Sequence, residues 1–319
     1  MFFRDKCCVV TGGGGFIGRH VTRALLAAGG KVRVSRHRRP VHGLDPAVQI
    51  VDADLRDQKD CRRLLDGADC VFHCAGIAGA AGVSPAAAMS GITVNLTLTA
   101  NVLEAAWHTG VSRILLFGSS TGYPVTSHPV REEEMWSGPV FPGYFGYGWM
   151  RRYLERLGEY VHGQANAPDV VIVRPTAVYG RHDNFDPATC HVIPALIDRA
   201  LAGEAPFTVW GSGDEIRDFL HVADLAHGCL LAMEKLPSCD PVNIGYGQTT
   251  TIREVAEAIL EAAGHTAPIL FQADRPTAIP VRMVDTAKAR NMLGFTPAIN
   301  LRDGLSDTVN WRRMAASGK

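Results

Sequence analysis

The chain has no excess of charge of either sign: 32 Lys and Arg stand against 32 Asp and Glu. That balance argues against a nucleic acid or an anionic membrane surface as partner. No apolar run is long enough to span a bilayer. The first strand-like segment begins at Cys7, which leaves no room for a signal peptide. There are no internal repeats and no low-complexity tracts. The eight cysteines are scattered, with no C-x-x-C pair. Cys7, Cys8, Cys70 and Cys74 fall on strand-like runs, where free cysteine acts as a small hydrophobe. Cys70, His73 and Cys74 make a weak metal-ligand set, and no metal is expected. A reducing compartment, the cytoplasm, suits this cysteine usage.

What the chain does have is glycine, concentrated near its start. Thr11-Gly12-Gly13-Gly14-Gly15-Phe16-Ile17-Gly18 follows the apolar run Cys7–Val10 and precedes the amphipathic stretch Phe16–Ala28. Gly12, Gly15 and Gly18 fit G-x-x-G-x-x-G between a strand and a helix. The first glycine permits the tight turn, the second admits a pyrophosphate to the backbone, and the third lets helix and sheet pack closely. The helix N-terminus then offers free N–H groups to phosphate. A bound dinucleotide is the expectation.

Strand-like runs recur at Cys7–Val10, Val32–Ser35, Gln49–Asp52, Cys70–Cys74, Ile114–Gly118, Val170–Arg174 and Pro241–Ile244. Helical patterns separate them at Phe16–Ala28, Asp57–Leu65, Gly91–His108, Tyr147–Tyr160 and Val222–Glu234. Alternation of this kind predicts an α/β fold, a Rossmann-type doubly wound parallel sheet with helices on both faces. After Arg174 the pattern loosens and becomes richer in Pro and Gly. The chain, at 319 residues, is long for one compact unit. We expect a dinucleotide-binding domain at 1–175 with 218–245, and a smaller α/β substrate lobe at 176–217 with 246–319.

A second constellation follows the fifth strand. That strand leads into Ser119-Ser120-Thr121-Gly122-Tyr123, and the next helix begins at Tyr147 with Arg151 four residues on. The spacing puts phenol and cation on one helix face, opposite a hydroxyl at a strand end. Such a group suits proton transfer to a carbonyl or from an alcohol. A free phenol has a pKa of about 10, and ionising one at neutrality takes roughly 4 kcal/mol. One cation about 4 Å away is worth roughly that much at a protein surface.

These residues carry a resemblance over nearly the whole chain. The glycine motif, Asp54-Leu55, Ser119 to Tyr123, Tyr147, Arg174-Pro175 and Tyr179-Gly180 resemble the extended short-chain dehydrogenase/reductases of the NAD(P)-dependent sugar-nucleotide epimerase/dehydratase family. Asp183-Asn184-Phe185-Asp186-Pro187, His191 to Leu196, Trp210 to Gly213 and Arg217 to Val222 are most similar to its GDP-L-fucose synthase branch. The resemblance implies Ser119 and Tyr147 as catalytic groups with Arg151 beside them, and His191 as an acid/base near the sugar. Thr121 stands at a further catalytic position. It implies Asn184, Arg199, Trp210 and Arg217 on the substrate side. For the cofactor it implies Gly12, Gly15, Phe16, Ile17, Gly18, Asp54, Leu55, Ala75 and Pro175. It also implies a homodimer built on the helices Gly91–His108 and Tyr147–Tyr160, and a nucleotide-diphosphate sugar as substrate.

Two departures qualify it. The family's Y-x-x-x-K is here Tyr147-Gly148-Trp149-Met150-Arg151. A guanidinium supplies charge but does not pass a proton on. The branch's epimerising cysteine, two residues after the serine, is here Thr121. A hydroxyl is a poor proton carrier at neutral pH, and Cys190 beside His191 is a weak substitute. Double epimerisation is therefore expected to be lost, with 4-keto reduction or 4-epimerisation retained. His191 fits a substrate hydrogen-bonder or a packed histidine equally well. Asn95 reads as a helix residue bonded to neighbouring backbone or as an active-site group, and Glu132-Glu133-Glu134 as a solvated turn rather than a catalytic acid, with substrate orientation by one of them the alternative.

NAD-binding units usually end their second strand with an acid for the ribose hydroxyls. Here that place holds Arg36, followed by His37-Arg38-Arg39. A guanidinium suits a 2′-phosphate, so NADP(H) is favoured over NAD(H). The reading is an NAD(P)-dependent nucleotide-sugar reductase or epimerase. A dehydratase or decarboxylase on the same fold, and a regulator that binds dinucleotide without turnover, are the alternatives.

Overall fold

The structure, a computed structural model, describes residues 2–38, 40–77, 85–275 and 277–317, with the backbone alone at 85–87. Arg39 of the basic run lies outside the described residues. The first half runs β1 (Cys7–Thr11), α1 (Phe16–Ala27), β2 (Lys31–Arg36), β3 (Gln49–Asp52), α2 (Gln58–Leu65), β4 (Cys70–His73), α3 (Pro85–His108), β5 (Arg113–Phe117), α4 (Phe145–His162) and β6 (Asp169–Pro175). The second runs β7 (Ala177–Tyr179), α5 (Val192–Leu201), β8 (Phe207–Trp210), β9 (Ile216–Arg217), β10 (Phe219–His221), α6 (Val222–Lys235) and β11 (Val242–Ile244). It ends with β12 (Thr250–Thr251), α7 (Ile252–Ala263), β13 (Ile269–Gln272), β14 (Val281–Arg282) and α8 (Leu301–Ala316).

Seven strands form one parallel sheet in the order β11-β6-β5-β4-β1-β2-β3. This is the doubly wound order, and it reverses between β1 and β4, where a dinucleotide crevice opens. The central strands read as unbroken apolar runs because helices cover both faces. Their alternate side chains feed two cores. Val10, Val34, Phe72, Leu115 and Val171 pack on one face with Val21 and Leu25 of α1 and Leu225 of α6. Val9, Val71, Ile114, Leu116 and Ile172 pack on the other with Leu64 of α2 and Val102 and Leu103 of α3. The edge strand β3 is mostly exposed.

Helix starts follow local chemistry. Asp57 caps α2 by accepting from the Lys59 N–H at 2.7 Å. Thr251 and Glu254 form a capping box on α7, and Gly264 ends it in the left-handed region, φ 64°. The helix expected at Gly91 begins at Pro85, because its lead-in, Ala86-Ala87-Ala88, favours helix without advertising a face.

The residues after β6 build a third core. Tyr179, Ile193, Leu196, Phe207, Val209, Val255 and Ile259 join α5, α7 and the small parallel sheet β13-β8. Two further small sheets follow, β10-β7 and β12-β9-β14, and the second brings Arg217 and Arg282 into register. No helix among the described residues is long and apolar enough to cross a membrane.

Candidate active site

The glycine loop has the shape a pyrophosphate needs. Gly12 has φ +66°, and a Cβ there would lie 2.9 Å from the Ala75 Cα. A Cβ on Gly18 would lie 2.3 Å from the Gly12 carbonyl oxygen. The turn closes through the Gly15 N–H, which donates to that oxygen at 2.8 Å. Helix α1 then starts at Phe16 with Gly15 as its N-cap and no side-chain cap, so the first-turn N–H groups, those of Phe16, Ile17 and Gly18, are left for an anion. These residues fit a nicotinamide dinucleotide. Ala75 is pinned at the end of β4: its N–H donates to Thr11 Oγ1 at 3.1 Å. His73 bridges Thr11 Oγ1 at 2.9 Å and Thr99 Oγ1 at 3.1 Å. Burial, with the nearby Arg151 charge, lowers the His73 pKa to about 3, so it stays neutral.

At the far end of the crevice, β2 ends in Arg36, which holds Asp52 of β3 through Nε and Nη2, both at 2.6 Å. Asp54 is bound by Arg56 at 2.5 Å and approached by His37 at 3.4 Å. The Arg56 bonds keep its carboxyl well below the usual range. Leu55 is buried in the core, and its carbonyl accepts from Asn101 Nδ2 at 3.0 Å. Pro175 closes β6 in register with Ile244.

The structure gathers Ser119, Thr121, Tyr147 and Arg151 on one floor. The Arg151 guanidinium donates from Nη2 to Tyr147 Oη at 2.6 Å and from Nη1 to the Phe117 carbonyl at 3.0 Å. Arg151 is therefore no free surface arginine. Ser119 Oγ and Thr121 Oγ1 are 2.8 Å apart and share a hydrogen bond. The first turn of α4 rests on this turn: a Cβ on Gly148 would lie 2.7 Å from the Thr121 carbonyl oxygen.

Behind the floor lies a buried polar network that sequence reasoning missed. Arg174 clasps Glu155 through Nε at 2.9 Å and Nη2 at 2.6 Å, and donates from Nη1 to Tyr123 Oη at 2.9 Å. Tyr123 donates to Asn243 Oδ1 at 2.6 Å, and the Asn243 N–H donates to Glu132 Oε1 at 2.8 Å. Glu132 thus corrects the solvated-turn expectation. It is buried, desolvation raises its pKa, and only its neighbours face water. Asn95 is also internal, exchanging two hydrogen bonds with the Ile77 backbone at 2.8 and 2.9 Å.

Beside the segment that leaves Ser119 stand Arg217 and Arg282, cross-strand neighbours in β9 and β14. Both lie close enough to the Tyr144 phenol, three residues before Tyr147, for it to bear on their charges. Arg282 donates to the carbonyls of Pro124 at 3.0 Å and Tyr123 at 3.2 Å, which ties it to the segment running out of Ser119. Arg217 donates to the carbonyls of Ile216 at 2.8 Å and Pro280 at 3.1 Å. Neither forms a salt bridge among the described residues. Burial lowers both pKa values, that of Arg282 to about 10, so both stay cationic at neutral pH. Glu215 bears on Arg217 from beyond ion-pair distance, and two desolvated guanidinium groups with no carboxylate bonded to them suit a diphosphate. Arg282 had no sequence signal: a two-residue strand in an irregular stretch has no period to read.

The other expected substrate residues are placed less centrally. His191 stands at the N-cap position of α5 without a side-chain cap bond, and desolvation by its surroundings lowers its pKa. Asn184 is occupied within its own loop, donating to Thr189 Oγ1 at 2.8 Å and accepting from the Asp186 N–H at 3.1 Å. Arg199 is turned to Glu204, at 2.7 and 2.6 Å, and to the Thr208 carbonyl. Trp210 is half exposed at the end of β8, with Arg275 over its ring. Cys70 is in register with Cys8, and no group of three His, Cys, Asp or Glu among the described residues could hold a metal.

Known proteins share this plan. A putative GDP-L-fucose synthase of Arabidopsis thaliana is 36% identical over 225 residues, 69% of this chain and 68% of that protein. A dTDP-4-dehydro-6-deoxy-D-allose reductase of a Streptomyces species is 31% identical over 321 residues, 97% of each chain. The crystal structure of UDP-glucose 4-epimerase from Thermotoga maritima with UDP-glucose superposes with a TM-score of 0.86 at 25% identity, covering 97% of this chain and 99% of that one. The profile of the NAD dependent epimerase/dehydratase family matches residues 8–245, most of the chain, and the protein is a member of that family.

Proposed function

We propose that the protein is an NADP(H)-linked reductase of a nucleotide-activated 4-keto sugar. The observation that carries this is the floor itself: a phenol held by a guanidinium at 2.6 Å beside a paired Ser119 and Thr121. The bound dinucleotide would supply hydride to the ring carbon C4. Tyr147 Oη donates its proton to the oxygen formed at C4, and Ser119 Oγ–H orients that oxygen. Arg151 stabilises the phenolate left behind, which regains its proton from water because a guanidinium does not relay one. Arg217 and Arg282 hold the diphosphate. Thr121 spends its hydroxyl on Ser119 where the fucose synthase branch has an ionisable thiol, so reduction without epimerisation is the favoured outcome. The Streptomyces relative, matched end to end, carries a reductase name that agrees with it.

Arg36 at the end of β2 favours NADP(H). Residues 1–175 with 218–245 act as the dinucleotide domain and 176–217 with 246–319 as the substrate lobe. A second copy of the chain covers α4, whose Phe145, Trp149, Tyr153 and Tyr160 are exposed at 65%, 42%, 57% and 67%. Spacings of four, four and seven put them on one stripe. The eight free cysteines suit the cytoplasm.

The test is oxidation of NADPH, followed at 340 nm, with a panel of GDP-, dTDP- and UDP-linked 4-keto-6-deoxy sugars. One member of the panel should be turned over, and Tyr147→Phe should abolish turnover while leaving NADPH affinity within about twofold. No turnover across the panel, or an active Tyr147→Phe variant, refutes the reading.

A further inference from the structure

The basic run after β2 reads as a bare cationic site, yet the structure answers its leading charge from within. Arg36 and Asp52 are register partners at the ends of β2 and β3. The carboxylate takes the Nε/Nη2 edge of the guanidinium, leaving its terminal Nη1/Nη2 edge for a ligand. The partner strand is itself pinned. The Ala53 N–H donates to the Arg36 carbonyl at 2.9 Å, and Arg63 Nη2 donates to the Asp52 carbonyl at 2.7 Å. Two further arginines on this rim are matched in the same way, Arg56 by Asp54 and Arg63 by Asp60. Three arginines thus face three aspartates, and His37 leans on Asp54.

We propose that Asp52 is a specificity-determining residue that restrains the cofactor's 2′-phosphate site. It opposes the phosphate directly by like charge and occupies one of the two bidentate edges that Arg36 offers a phosphate. The protein therefore discriminates between NADPH and NADH less than its basic run suggests. Removing the Asp52 charge releases that restraint for NADPH, which carries the 2′-phosphate, and not for NADH, which lacks it. The inference rests on the NADP(H) reading above, in which the adenosine ribose lies beside Arg36.

The test measures binding rather than turnover: nicotinamide fluorescence titrations of NADPH and NADH with the parent, Asp52→Asn and Arg36→Ala proteins, at about 20 mM and 500 mM salt, two strengths on either side of effective screening. Asp52 is exposed, so the fold should tolerate Asn, and circular dichroism with a melting curve checks this. Asp52→Asn should tighten NADPH about fivefold at low salt, a gain suited to an exposed charge, and leave NADH within about twofold. High salt should erase the gain. Unchanged NADPH affinity, a parallel change for both cofactors, a gain insensitive to salt, or weaker NADPH binding each overturns the role given to Asp52. Arg36→Ala tests the underlying reading separately. Loss of NADPH affinity alone upholds it, and equal affinities for both cofactors before and after the substitution refute it.

Discussion

Arg174 and Arg282 are both buried, at 2% and 6% exposure, and the protein handles their charges in opposite ways. Arg174 is clasped by Glu155 and bonded to Tyr123 and the Glu132 carbonyl, so its charge is spent inside the fold. Arg282 and its neighbour Arg217 hydrogen-bond, among the described residues, to carbonyl oxygens, with Glu215 bearing on Arg217 only from a distance. Carbonyl dipoles position a guanidinium without neutralising it. The first arrangement joins β6, α4 and the loops that carry Ser119. The second leaves its charge without an ion-pair partner, free for the diphosphate proposed above. Burial alone does not separate frame from site; the partner does.

Four experiments press on this contrast. The largest effect is expected from Glu155→Ala, which strands Arg174 in the core and should cost about 3–5 kcal/mol of stability, read from urea unfolding. Glu155→Ala combined with Arg174→Met should recover most of it.

Next comes His73, which the protein keeps uncharged under Arg151. Its folded pKa, about 3, lies below the unfolded value of about 6.5. The unfolded chain therefore takes up a proton that the native state refuses, and this stability is lost as pH falls from 6.5. Asp183 and Asp218, raised to about 7 and about 6 by burial, act oppositely over much of that range. The difference between parent and His73→Gln is thus the quantity to measure. Between pH 7 and 4.5 the parent should lose about 2.5 kcal/mol more than the variant.

Third, Arg282→Met should weaken nucleotide-sugar binding about 30-fold, the worth of a charged hydrogen-bonded contact, with stability changed by less than about 1 kcal/mol. Calorimetry and unfolding together check it. A large stability loss would place Arg282 in the frame with Arg174. Smallest is Arg151→Lys. An ammonium cannot span Phe117 O and Tyr147 Oη with a planar fork, so kcat should fall by less than about tenfold at unchanged NADPH affinity.

The doubly wound sheet was legible because its strands are buried on both faces and read as apolar runs; Gln49–Asp52 even has its predicted ends. The floor was legible too, since Tyr147 and Arg151 are four apart on one helix and Ser119 directly follows a strand. What escaped depends on pairing between distant segments. Arg282 enters through a two-residue strand beside β9, Asn243 meets Tyr123 across 120 positions, and Glu132 sits in an acidic triplet whose other members are solvated. The direction in which Arg199 turns was equally hidden, because the Glu204 that captures it lies past the end of its helix.

The close seating of Gly148 on the Thr121 carbonyl has a bearing on how new activities arise from this scaffold. Any larger residue at 148 must lift the helix and the phenol with it, whereas exchanges of the hydroxyl at 121 leave that backbone contact alone. Laboratory libraries that vary position 121 should keep folded, cofactor-loaded members in abundance. Libraries at 148 should be nearly barren unless the turn below is reshaped in the same clone.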